Sequence, residues 1–88
     1  MRNARTLSKL VTKVIKDQNL TLLLEGELLT LNYNKVLEML SEDEARIIKA
    51  DFIDKLDKDW YITYYSRSTY YRYRLRAMDR FIKIIEST

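Results

Sequence analysis

Eighty-eight residues with a formal charge of +3, no cysteine, no histidine, no proline and one glycine leave room for a single small domain. The missing residue types exclude a disulfide framework, zinc held by cysteine or histidine, a histidine-based triad, a P-loop and a glycine-rich dinucleotide fold. A protein with neither catalysis nor a cofactor is therefore expected.

A chain this short buries only about two-thirds of the surface its unfolded form exposes, and a homodimer is the simplest way to widen that thin margin. No run approaches the roughly 18 apolar residues of a membrane span, and the basic amino terminus has no secretory apolar core. The expectation is a soluble protein of a reducing cytoplasm, with no membrane contact.

The first predicted element is an amphipathic helix near residues 4–18. Leu7, Leu10, Val11, Val14 and Ile15 share one face, and Arg5, Lys9, Lys13 and Lys16 line the other. That basic stripe reads first as solvated surface and second as a set of phosphate contacts.

The next stretch, NLTLLLEGELLTLN, supports two readings. As a β-hairpin over 20–31 turning at Glu25-Gly26, it pairs Leu23 with Leu28, Leu22 with Leu29 and Leu20 with Leu31. As a helix, it places Leu20, Leu23, Leu24, Leu28 and Leu31 on one face, with the glycine costing about 1 kcal/mol. Either way the leucines need cover, and residues 1–33 read as a unit for dimerisation or partner contact.

From residue 34 the signals sharpen. Asn34 is placed to cap a short helix holding Val36, Leu37 and Leu40. Ser41 with Glu44 has the spacing of a capping box, and Glu42, Asp43 and Glu44 suit the positive end of the next helix. In that helix Ala45, Ile48, Phe52 and Leu56 are expected to face the core. Asp57 is placed to cap a brief helix carrying Trp60, Tyr61 and Tyr64, and Ser66 or Ser68 to cap the last and longest one. Among the carboxylates, Asp51, Asp54, Asp57 and Asp59 do not make a calcium loop and read as solvated groups, so no metal is expected.

On the last helix Tyr70, Tyr73, Ala77, Met78, Phe81, Ile84 and Ile85 form an apolar stripe. Ser68, Arg72, Arg76, Asp79 and Lys83 fall on the opposite side. Arg74 lands inside the stripe and needs either to snorkel or to pair with an acid from 42–59. Charge is concentrated in the same region, for residues 60–83 carry six basic groups and one acid. Such a field suits a polyanion, and it also suits a merely solvated basic face.

The order of short helix, tight break and long basic helix is that of a helix-turn-helix. YSRSTYYRYRLRAM moreover resembles the recognition helix of the ArpU/RinA-like phage late-gene transcription regulators. A serine-rich turn there leads into two adjacent tyrosines, a basic helix and an alanine near its middle. More distantly it is similar to the promoter-binding domain of bacterial sigma factors, whose serine, alanine and aliphatic positions fall on Ser66, Ala77 and Met78. The resemblance covers about residues 34–85 and departs at DWYITYY, where bulky aromatics replace the usual small residue at the helix crossing.

The resemblance implies a mainly α-helical protein whose 34–88 region binds double-stranded DNA as a phage or prophage regulator, reading the major groove with helix 67–85. Ser68, Thr69, Tyr71 and Arg72 would reach base edges, with Arg72 able to fork onto a guanine. Arg67, Arg76, Arg80 and Lys83 would hold phosphates, giving a log–log salt slope near −4 at roughly −0.9 per contact.

Three other readings remain. Tyrosines among arginines would also stack single-stranded bases. The leucine-rich half would also suit a contact with RNA polymerase or another phage or host factor. A small-terminase-like packaging role would use the same DNA-binding unit.

Overall fold

The computed structural model describes residues 2–25 and 33–86, with side chains at 2–16 and 34–86. Helix α1 spans Ala4–Glu25. It starts where Asn3 serves as the cap, its side-chain oxygen accepting from the Thr6 N–H at 2.9 Å. Leu7, Val11 and Ile15 then fall on one face and are buried.

The helix outruns the expected end at residue 18, and this corrects the hairpin over 20–31. Leu20–Glu25, its first strand, is helical backbone, because a helix already nucleated adds leucine and glutamate at one bond per residue. The rest of the proposed hairpin, including Gly26, lies outside the described residues.

Helix α2, Tyr33–Glu38, begins one residue before Asn34, which therefore sits in its first turn and not at its cap. Val36 and Leu40 are buried. Helix α3, Glu42–Ile48, opens on the full capping box: the Glu44 N–H donates to Ser41 Oγ at 3.2 Å, and the Ser41 N–H donates to Glu44 Oε1 at 2.9 Å.

Helix α3 then widens into a π-helical turn over Lys49–Ile53. The turn closes with Lys55 in the left-handed region, φ 51°, and the Leu56 N–H donating to the Ala50 carbonyl at 2.9 Å. The wide turn and the left-handed residue together shift the helical phase. Leu56, expected in the core, consequently stands 52% exposed.

Asp57 does not cap a helix with its side chain. Its carbonyl accepts from the Trp60 N–H, and the chain then makes one 3-10 turn, Trp60–Thr63, that leaves Tyr64 beyond its end. Helix α4, Arg67–Glu86, is capped by Ser66, whose Oγ accepts from the Thr69 N–H at 3.2 Å. Residues 54–66, with their single 3-10 turn, separate the π turn from α4, a longer link than the usual three- or four-residue turn between two recognition-unit helices.

Two clusters hold α4. Ala77, Met78, Phe81 and Ile82 in its carboxyl-terminal half pack with Leu7, Val11, Ile15, Val36, Leu40 and Ile48. The Arg2–Glu86 ion pair at 2.7 Å sets the start of α1 beside the end of α4. In its amino-terminal half Tyr70 joins Ile47 and Tyr61, ringed by Trp60, Tyr65 and Tyr73. The Tyr61 and Tyr70 rings stack at 3.9 Å and 4°.

Asp79, expected on the outward face, is instead buried and paired with Lys83 at 3.0 Å. Helix α1 packs on that side of α4, bringing Arg2 into the field of Asp79 and Ile82 into the core. Among the described residues the fold is helical throughout, without a strand, and no helix is long and apolar enough to cross a membrane.

Candidate nucleic-acid interface

The amino-terminal half of α4 is oriented by one carboxylate. Asp51 projects from the π turn and is 12% exposed. Its Oδ1 accepts from the Trp60 indole N–H at 2.7 Å, and its Oδ2 accepts from the Tyr70 hydroxyl and from Arg74 Nε at 3.0 Å. This is the acid that Arg74 requires, and the guanidinium also lies 5.1 Å over the Phe52 ring. Burial, and then the Asp51 carboxylate, push the Tyr70 phenol well above its ordinary value.

A second group fixes the loop before α4. The Tyr65 hydroxyl donates to Asp43 Oδ1 at 2.7 Å and accepts from Arg46 Nη1 at 2.8 Å. Burial raises the Tyr65 phenol, while the hydrogen bond that Arg46 donates to the Tyr65 oxygen raises the guanidinium. Arg46 also stacks 4.8 Å over the Tyr64 ring.

With its inner side held, α4 presents Ser68, Arg72 and Arg76 on one exposed strip, at spacings of one turn. Among the described residues Arg72 has no hydrogen bond or ion pair. Among those residues Arg76 makes a stacking contact, 5.8 Å over Tyr73, and no side-chain hydrogen bond or ion pair, beside a cavity of about 120 Å³ lined by Ser41, Asp43 and Glu44. At the helix start Arg67 lies 5.9 Å over the ring of Tyr71, which is 51% exposed at the edge of the aromatic cluster.

The remaining expected contacts stand differently. Thr69 is turned into the cap, its hydroxyl accepting from Ser66 Oγ at 2.9 Å. Arg80 Nη1 donates to the buried Glu44 at 2.6 Å, and Lys83 is held by Asp79. Among the described residues the eight thus divide into Arg67, Ser68, Tyr71, Arg72 and Arg76, exposed and without a side-chain hydrogen bond or ion pair, and Thr69, Arg80 and Lys83, which are engaged within the fold although Arg80 and Lys83 stay exposed.

Sequence reasoning passed over Asp51 as the positioning residue and Lys58 as a neighbouring cation. Lys58 lines a cleft of about 420 Å³ with Asp51, Leu56, Tyr70, Tyr71 and Arg74. The signal for Asp51 was Arg74 itself, since a guanidinium on an apolar stripe demands a carboxylate partner.

No family model matches the chain, and neither a curated protein nor a solved structure matches it. The chemistry of the surface therefore carries the functional reading. Arginine, serine and tyrosine on a rigid helix face suit hydrogen bonding to an anionic, groove-bearing partner.

Proposed function

We propose that the protein binds double-stranded DNA sequence-selectively, as a phage or prophage transcription regulator, by laying the amino-terminal half of α4 in the major groove. The observation that carries this reading is the exposed Ser68–Arg72–Arg76 strip on a helix whose opposite side is locked by Asp51 and the stacked tyrosines. The 3-10 turn at Trp60–Thr63 takes the place of the first helix of a conventional helix-turn-helix.

In this role Arg72 forks onto a guanine edge, Ser68 and Tyr71 reach neighbouring bases, and Arg67 and Arg76 hold phosphates. Arg80 and Lys83 join the backbone contacts by exchanging Glu44 and Asp79 for phosphate. Two copies, paired through the leucine-rich segment, read two half-sites, and RNA polymerase is the partner at a promoter.

Fluorescence anisotropy with promoter and random duplexes tests the proposal, Arg72→Ala alongside. A preference for one duplex that falls by about 1–3 kcal/mol in the variant is expected. Absence of duplex binding at low salt overturns it. In that event the exposed Leu56, Ile62 and Tyr64, with the cleft of about 250 Å³ between Leu56 and Trp60, become the surface for a protein partner instead.

A further inference from the structure

Across residues 2–16 the outer face of α1 is an unpartnered surface whose charges are all basic, the first acid of the chain, Asp17, coming four residues after Lys13. Arg5, Lys9, Lys13 and Lys16 are all exposed there, and none makes a hydrogen bond or ion pair among the described residues. We infer that this face is a second duplex-contact surface, its four cations seated on the phosphodiester backbone of DNA. The inference rests on the reading that α4 binds duplex DNA.

The surface is kept cationic against local preference. Residues 2–16 contain no acid, and the first turn of α1 carries Arg5 at the positive end of the helix dipole. Arg5, Lys9 and Lys13 follow one another at four-residue spacing, where like charges destabilise a helix. Helix α3 obeys both rules, opening with Glu42, Asp43 and Glu44 and setting Arg46 one turn later against Glu42 and Asp43, whereas α4, the helix proposed to enter the groove, departs from them as α1 does, with Arg67 in an acid-free first turn and Arg72, Arg76 and Arg80 four residues apart. An ordinary solvated face intersperses both signs. A polyanion bound along the helix reverses the local cost, turning self-repulsion into attraction.

The side chains also choose among polyanions. Three of the four are lysines, point charges suited to phosphate and poor at reading bases. The exposed face of residues 5–16 carries no aromatic ring on which single-stranded bases would stack. It carries no exposed apolar side chain to enter a bilayer, because Leu7, Leu10, Val11, Val14 and Ile15 are committed to the core. From Arg5 to Lys16 the strip runs about 16 Å along the axis, at roughly 1.5 Å per residue, which spans several successive phosphates of one strand. Packing against α4 makes that strip a rigid flank of the helix proposed to enter the groove.

The test is a salt series of duplex binding by the full chain and by Arg5→Gln/Lys9→Gln/Lys13→Gln/Lys16→Gln, with a charge-retaining Lys9→Arg/Lys13→Arg/Lys16→Arg variant and far-UV circular dichroism on each. The glutamine variant should lose about 3.6 from the magnitude of the log–log slope, at roughly 0.9 per contact, and lose affinity by the same factor on promoter and random duplex. The arginine variant should keep the wild-type slope. An unchanged slope in the folded glutamine variant overturns the inference and leaves the α4 reading standing. Absence of duplex binding by the wild-type chain overturns the α4 reading, and the inference with it.

Discussion

Replacing Asp51 by alanine removes one carboxylate from three donors at once. The Arg74 pair is partly buried, with the guanidinium 22% exposed, so solvent screening limits its loss to about 1 kcal/mol. Trp60 and Tyr70 each lose a charged acceptor while part-buried, and each contributes about another 1 kcal/mol after water in the adjoining cleft offsets part of the loss. The sum is about 3 kcal/mol, or roughly 12–24 °C in Tm at about 4–8 °C per kcal/mol for a domain of this size. Urea unfolding followed by Trp60 fluorescence and by far-UV circular dichroism measures it. Asp57→Ala is the control: its exposed side chain bonds nothing among the described residues, so a change within about 0.5 kcal/mol is expected. A loss below about 1 kcal/mol for Asp51→Ala, with the urea dependence unchanged, would refute the hub.

Alkaline stability should report Tyr70. Its folded phenol keeps a proton that an unfolded tyrosine releases near about pH 10, so stability is full below that value and falls as pH rises beyond it. Tyr70→Phe should flatten the fall in pH-dependent urea midpoints. Ser41→Ala removes one arm of the capping box and should cost about 1 kcal/mol by the same unfolding assay. Lys55→Gly should instead raise stability by about 0.5–1 kcal/mol, since relief of the left-handed backbone exceeds the added chain entropy of glycine. A midpoint that falls in the glycine variant would show that Lys55 contributes a compensating contact.

The elements whose cause lies within one turn of chain were legible in the sequence alone. Ser41 and Glu44 sit three residues apart, and Ser66 precedes a long apolar-periodic run, so both helix starts follow from local hydrogen bonding. The Ala77, Met78 and Phe81 stripe is equally local, a matter of 100° per residue. The end of α1 was less legible, because leucines repeating at both helical and hairpin spacing do not say which bonds the backbone makes. Asp79 was misplaced for a different reason. A helical wheel places a residue relative to one helix, whereas burial at that position is decided by where α1 crosses.

The π turn had no local signature at all, yet the anchoring of the amino-terminal half of α4 depends on it. One wide turn at Lys49–Ile53 carries Asp51 to Trp60, Tyr70 and Arg74, and the altered phase leaves Leu56 on the surface beside the same cleft. The demand for such a carboxylate was visible in Arg74, a cation on an apolar stripe. Its supplier was not, since only the tertiary fold brings residues 51 and 74 together. For the exposed strip the order of inference is the reverse. Ser68, Arg72 and Arg76 follow from helical spacing, as does the pair of Lys83 with Asp79 one turn before it in α4, while the pair that engages Arg80 follows from Glu44 on the neighbouring α3. The surface offered to a partner is therefore what remains of a basic helix after the rest of the fold has claimed its share of the charge.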